Sequence, residues 1–495
     1  MRKLFRRPLT ALTCAIALGL QACGEGPPPE EGQAPLAQAS AAATLARTSA
    51  DAETDILVAL QAIPGLTVVR EGPSRFPGTR FFVLTYDQPV DHQHPEGQRF
   101  QQRMTLLHRA TQAPVVLASS GYSIGTSAGQ FEPTALLQAN QLLVEHRFFG
   151  DSTPAPANFE HLTLEQAAAD HHRIVTAFKS LYGAKWVSTG GSKGGMTSLY
   201  HRAFYPDDVD ATVAYVAPNS HGPKDPRYIQ FLSRVGDAGC RERIRDFQRD
   251  ALSRREELVP LVAADATAQG LTLDFLGADK TFEFMMLELP FSFWQYGNPA
   301  TCPAIPAPGA PAEQVLDALD GIVGYVAFSD LGIHFFSPYY FQAGTQLGSY
   351  RSDERHLHGL VRYPGEYGPA ALVTFPIEPY GFDRRAIPRI EAWVKARGER
   401  ILLVYGELDP WSTNAFEVRE RNDSYRFFVP GGNHGSSISK LPEAERTVAL
   451  ERLSTWMGLQ PTESGRVAMK ASALATGEEP VEPLVLDRRR LPPQE

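Results

Sequence analysis

Thr189-Gly190-Gly191-Ser192-Lys193-Gly194-Gly195 sets one serine among four glycines, in the pattern G-x-S-x-G. In such a stretch the serine occupies a strained turn where neighbouring side chains would collide, and glycine removes the collision. A hydroxyl held this way attacks an acyl carbon once a base takes its proton and amide groups receive the developing oxyanion. The Lys193 amide, at the start of the following helix, is the expected first oxyanion donor. The loop after Leu117 is expected to supply the second, from the backbone of Gly121 or Tyr122. Asp409 and His434 complete a hydrolytic set, each a few residues past an apolar run. His434, between Asn433 and Gly435, has small neighbours that let an imidazole reach the serine. It would serve as general base and then acid, with Asp409 fixing its tautomer. Glu407 is a rival acid two residues before Asp409.

The elements around these residues must be strands that end where the chemistry begins. Phe81–Tyr86 and Gln102–His108 read as antiparallel strands at a sheet edge. Pro114–Ala118, Gln141–Glu145, Trp186–Thr189, Thr212–Ala217, Ile401–Tyr405 and Tyr425–Val429 read as short buried strands. Thr163-Leu164-Glu165-Gln166 is a capping box opening a helix through Leu181, and further helices run to about Tyr205 and from about Pro442 to Trp456. Alternating strand and helix predicts a parallel sheet covered on both faces. The rhythm breaks from Gly222 to Arg385. The expected fold is therefore α/β, of the α/β-hydrolase type, with a mainly helical cap inserted between core parts 51–221 and 386–460.

The ends bound the compartment. Arg2, Lys3, Arg6 and Arg7 precede a short apolar run from Pro8 to Leu20, the layout of a secretory signal. Leu20-Gln21-Ala22-Cys23-Gly24 resembles a bacterial lipoprotein box, in which Cys23 would be lipidated. Residues 24–50 have too little apolar surface to offset ordering entropy and read as a tether, and 461–495 as a peripheral tail in which Val485-Leu486 alone could dock. With 56 acidic and 47 basic residues among 495, no basic stripe points to nucleic acid. Cys240 and Cys302 are the two cysteines left for the mature domain, and in an exported chain a disulfide is expected of them. No H-E-x-x-H or C-x-x-C occurs, and His92, His94, His171 and His172 form no ligand pattern, so neither a metal nor a cofactor is expected.

Several blocks resemble a known group. They are Gln88-Pro89-Val90-Asp91-His92, Gln101-Gln102-Arg103, Glu145-His146-Arg147-Phe148-Phe149-Gly150-Asp151-Ser152, Gly190–Gly195, Phe293-Trp294-Gln295-Tyr296 and Asp409-Pro410-Trp411. Together they are similar to the secreted bacterial tripeptidyl and tetrapeptidyl aminopeptidases with proline preference, relatives of prolyl carboxypeptidase. The resemblance implies a serine exopeptidase that cuts short peptides from the amino end of oligopeptides, with Ser192, Asp409 and His434 as its triad. It implies no partner beyond those substrates; membrane contact is expected only through the lipid anchor that the Cys23 box would supply, where many of these relatives are simply secreted.

An exopeptidase must stop its substrate at a fixed distance from the nucleophile, and a cap carboxylate such as Glu288 is one candidate to do so. Most of the aromatic residues in Phe282–Tyr296 are expected in the cap core. Trp411 and Trp294 are expected near the pocket, where a flat wall would suit proline. The alternatives are a carboxypeptidase-like exopeptidase, an esterase or lipase of the same fold, and a ligand-binding lipoprotein with a dead site.

Overall fold

The computed structural model describes residues 55–459. The signal segment 1–23 with Cys23, the tether 24–50 and the tail 461–495 lie outside the described residues. The first helix, α1 (Ile56–Gln61), is followed by β1 (Leu66–Gly72), β2 (Arg80–Pro89), β3 (Arg99–His108) and β4 (Val115–Ser119). Then come α2 (Glu132–Leu137), β5 (Asn140–Val144), α3 (Leu164–Lys179), β6 (Trp186–Gly191), α4 (Lys193–Phe204) and β7 (Ala211–Tyr215). Among the described residues the strands form one nine-stranded sheet of order β1-β2-β3-β5-β4-β6-β7-β8-β9, closed by β8 (Ile401–Gly406) and β9 (Tyr425–Val429). The pairs from β1 through β3 to β5 are antiparallel and the rest parallel.

Strand β4 shows why its sequence is apolar throughout. Val115 and Leu117 enter one core cluster with Ile174 and Phe178 of α3, while Val116 and Ala118 enter another with Leu136 and Val213. A strand buried on both faces has no polar side to alternate with. By contrast β1 has largely exposed side chains and pairs with β2 across a register shift between Val68 and Arg70, which left no apolar run to reveal it in the sequence.

Between β7 and β8 the chain builds α5 (Arg227–Leu232), α6 (Ala238–Ser253), α7 (Arg255–Ala268), α8 (Ala278–Tyr296), α9 (Ala312–Ile322), α10 (Tyr325–Phe328) and α11 (Asp330–Gln342). They share a core of Phe282, Phe284, Met285, Met286, Phe291 and Trp294 among others, and Cys240 is disulfide-bonded to Cys302 beside it. Then α12 (Ala386–Arg397) returns to the sheet, packing Ile387, Ile390 and Val394 with Leu199 and Tyr405. The last described helix, α13 (Glu443–Trp456), covers the face that holds Val213 and Val404. This strand order, with a serine turn directly after β6 and helices on both faces, is the α/β-hydrolase fold.

Helix α3 is held by buried polar groups. Thr163 Oγ1 accepts from the Gln166 amide (3.2 Å) as an N-cap. The expected reciprocal half of the box is missing, because the Gln166 side chain donates to Asp91 (2.6 Å) and accepts from the His92 amide (2.8 Å). One turn on, Asp170 takes Arg147 Nε and Nη2 at 2.7 Å each and His92 Nε2 at 2.8 Å. Burial alone would raise the Asp170 pKa, but the Arg147 charge and the hydrogen bonds overcome it and hold the carboxyl at about 2. Below its ordinary value, the carboxylate stabilises the fold fully above about pH 4, and that share is lost as pH falls toward 2. Asp170→Asn leaves the Arg147 guanidinium unpaired in the interior and should cost about 3–5 kcal/mol at neutral pH. Thermal melts compared at pH 7 and pH 3 check this: the gap between wild type and variant should narrow at the lower pH.

Candidate active site

The turn after β6 carries the serine. Ser192 has φ 54° and ψ −125°, a backbone conformation that L-residues adopt only under constraint. The constraint is visible on both sides. The Ser192 amide donates to Tyr215 O (2.9 Å), and Ser192 O accepts from the Met196 amide (3.0 Å). The glycines let the pieces close. A Cβ on Gly194 would lie 2.1 Å from Ser119 O, and one on Gly190 would lie 2.4 Å from Gly194 backbone. Gly121 combines φ +78° with an approach of 2.6 Å between an added Cβ and Gly194 N. So the β4 loop and the start of α4 touch through backbone alone.

Asp409 and His434 stand at the ends of β8 and β9. Asp409 is fully buried, accepting the Trp411 amide on Oδ1 (3.1 Å) and the His434 ring, through Nδ1–H, on Oδ2 (2.8 Å). With Nδ1 committed, Nε2 is the nitrogen free to serve a substrate-side hydroxyl. The rival Glu407 is exposed and accepts from the Gly431 amide (2.8 Å), which fixes the loop leading to His434. The histidine loop also meets the cap: the His434 amide donates to Gln295 O (2.9 Å) and Asn433 Nδ2 to Tyr296 O (2.8 Å). The Tyr296 ring stands edge-on to the imidazole at 6.1 Å.

Lys193 occupies the N1 position of α4, where a backbone amide has no acceptor within the helix. Its side chain turns inward. Nζ donates to Gly121 O (2.6 Å) and lies 5.4 and 5.0 Å from the ring centroids of Tyr122 and Phe149. Burial pulls its pKa well below the ordinary lysine value. The Tyr122 amide is already satisfied, donating to Ser120 Oγ (3.1 Å), which leaves Gly121 as the loop's available donor.

These groups open on a cavity of about 570 Å³ roofed by the cap, whose wall includes Ser192, Lys193, Glu288, Tyr296, Tyr339 and Trp411. Trp411 packs edge-on against Phe291 at 4.8 Å and Tyr228 at 5.6 Å. Trp294 is placed elsewhere: it is buried in the cap core over Gly236, where an added Cβ would meet its ring at 2.1 Å. A tryptophan near the end of α8 points inward or outward by helical phase, which adjacency to Tyr296 does not reveal. Tyr339 and Tyr340 on α11 and Tyr367 in a later loop carry no motif that marks them in the sequence. The histidines outside the site are tied into the scaffold, His171 to Ser119 (3.0 Å) and His172 and His201 to Asp208 (2.9 Å each). Among the described residues no cluster of His, Cys, Asp or Glu is set to hold a metal.

The turn predicts a sharp contrast between two neighbouring glycines. Gly194→Ala must push Ser119 away and displace Ser192, so labelling of the serine by a fluorophosphonate should slow by roughly 100-fold or more. Gly191→Ala meets nothing within 4 Å and should label within a few-fold of wild type. Stopped labelling time courses followed by mass measurement compare the two.

The model of the PS-10 peptidase S37 family matches residues 50–490. The chain is 43% identical over 415 residues to the prolyl tri/tetrapeptidyl aminopeptidase of Streptomyces mobaraensis, covering 83% of this chain and 86% of that one. A shorter stretch of 93 residues is 33% identical to the lysosomal Pro-X carboxypeptidase of Bos taurus, covering 17% of this chain and 19% of that one. A stretch of 121 residues is 35% identical to the prolyl carboxy peptidase like protein 5 of Caenorhabditis elegans, covering 21% and 24%. A strained serine turn, a buried aspartate–histidine pair two strands away and a family match over nearly the whole chain agree: the protein belongs to the PS-10 peptidase S37 family and is a serine peptidase.

Proposed function

We propose that the protein is an exported exopeptidase that releases tri- or tetrapeptides from the amino end of oligopeptides, with proline preferred before the cut bond. The observation that carries this reading is the cavity under the cap, whose wall includes Ser192. A roofed pocket admits a chain end and excludes a folded protein's loop. Identity to the Streptomyces aminopeptidase over most of both chains supports the same direction of cutting.

In the proposed reaction Ser192 Oγ attacks the scissile carbonyl while His434 Nε2 takes its proton. The oxyanion is received by the Lys193 and Gly121 amides, and Lys193 Nζ pins that loop through Gly121 O. His434 then returns the proton to the leaving amine. Water repeats the sequence on the acyl-enzyme, giving its proton to His434 and freeing the peptide acid and Ser192. Asp409 holds the imidazole tautomer throughout. The ring of Trp411 at the cavity wall offers a flat apolar face to proline, which has no N–H to satisfy.

Digestion of a mixed peptide library, read by mass spectrometry, should show losses of three or four residues from the N-terminus, with proline last in the released piece. Ser192→Ala should stay folded and lose turnover by on the order of a million-fold. Shortening from the C-terminus by wild type would instead favour the carboxypeptidase-like relatives.

Export rests on the basic and apolar start of the chain, and anchoring on Cys23 in its lipobox-like setting. Cys23→Ser should move the protein from the membrane fraction to the soluble fraction in the native host, since the acyl chains supply the binding.

A further inference from the structure

Two carboxylates line the cavity beside Ser192, and they differ in what they have left to offer. Asp320 has both oxygens engaged, Oδ1 with the Tyr325 amide (2.8 Å) and Oδ2 with Gln269 Nε2 (2.9 Å). Glu288, on α8, accepts the Tyr367 hydroxyl (2.6 Å) and the Ser292 hydroxyl (2.9 Å). Both of its partners are neutral. Burial pushes its pKa up to about 7 against the pull of those two hydroxyls, and no cation is among the groups that act on it. Its side chain lines the cavity that Ser192 also lines.

The surroundings of Glu288 are aromatic. Tyr296, Tyr339, Tyr340 and Tyr367 all line the same cavity, and after burial the Glu288 charge is among the causes that push their own pKa values up. A buried carboxylate with no cation of its own, in a cavity lined by tyrosine rings, is an environment that receives an ammonium group. Phosphate or carboxylate ligands are disfavoured there by the same charge.

We propose that Glu288, framed by Tyr339, Tyr340 and Tyr367, binds the α-ammonium of the substrate and so fixes how many residues lie between the chain end and Ser192. This rests on the aminopeptidase reading and adds the group that enforces it. An α-ammonium, with a pKa of about 7.7–8.0, is still charged at neutral pH and brings three donors to a carboxylate already partly dehydrated. The entering charge also favours the ionised form of Glu288. Acetylation removes the cation and adds bulk where the ammonium sat. Chain ends that are blocked, and loops that have no end, leave Glu288 unpaired.

The experiment compares Ala-Ala-Pro-anilide with its N-acetylated form on wild type and on Glu288→Gln, which keeps volume and removes the charge, with one hydroxyl partner turning to accept from the new amide. A fluorophosphonate, which has no ammonium, reports the state of Ser192 in each protein. Wild type should prefer the free amine by about 100-fold or more in kcat/KM. Glu288→Gln should lose that preference through a fall in kcat/KM on the free amine, and label like wild type. Retained discrimination in a variant that labels normally would overturn the assignment and leave the aminopeptidase reading intact. Labelling lost together with discrimination would make Glu288 a structural residue and overturn it too. Equal cleavage of both substrates by wild type would sink the aminopeptidase reading itself, and the anchor with it.

Discussion

The positive φ of Ser192 is the constraint on which the rest of the site depends. A residue held there relaxes unless its neighbours forbid it, at a strain of about 1–3 kcal/mol. Here the neighbours are backbone: Tyr215 O on one side, the first turn of α4 on another, and Ser119 O pressed against Gly194. Because no side chain intervenes, the turn cannot yield by rotamer changes. Rigidity of this kind holds the hydroxyl in place before substrate arrives, which is the form of preorganisation that costs nothing during the reaction.

That backbone contact is braced from behind by a buried polar network. Gln88 donates to Gln102, Gln102 to Glu145 O, and Glu145 accepts from Arg103, from the Ile124 amide and from Ser152. Arg147, next along, joins Asp170 on α3 and the carbonyls of Val90 and His161. The blocks around Gln88, Gln102 and Glu145 are therefore parts of one structure, although up to 57 residues separate Val90 from Arg147. None of them touches the reacting atoms. They hold the loop after β4, with Phe149 and Gly121 against Lys193, and so keep the oxyanion side of the site in register. A network in which the carboxylates of Glu145 and Asp170 are both paired with arginines specifies a single arrangement, because any slip strands a charge in the interior.

The cap is coupled to the same chemistry at the opposite end. The main chain of His434 hangs from Gln295 O, and Asn433 from Tyr296 O, both at the end of α8. Glu288 lies two turns earlier on that helix. One rigid element thus places His434, the proposed general base, and the proposed ammonium anchor. A displacement of α8 would alter peptide length and proton transfer together.

Local chemistry was legible in the sequence wherever the chain itself carries it. The glycines at 190 and 194 announce a turn that tolerates no Cβ, and the apolar runs of β4 and β8 announce strands buried on both faces. The order of serine, aspartate and histidine follows from which strands precede them. What required the folded chain is every choice among near neighbours. Asp409 rather than Glu407 faces the imidazole because the chain turns over the two residues that separate them, from solvent into the site. The Tyr122 amide is spent on Ser120, and Trp294 turns into the cap, for reasons of local direction that residue type does not encode. Edge strand β1 is held by backbone bonds to β2, which any sequence can make. The pocket around Glu288 draws its rings from positions 339, 340 and 367, far along the chain. Residues that meet only through tertiary packing share no periodicity, so their common surface exists in the fold and not in the sequence.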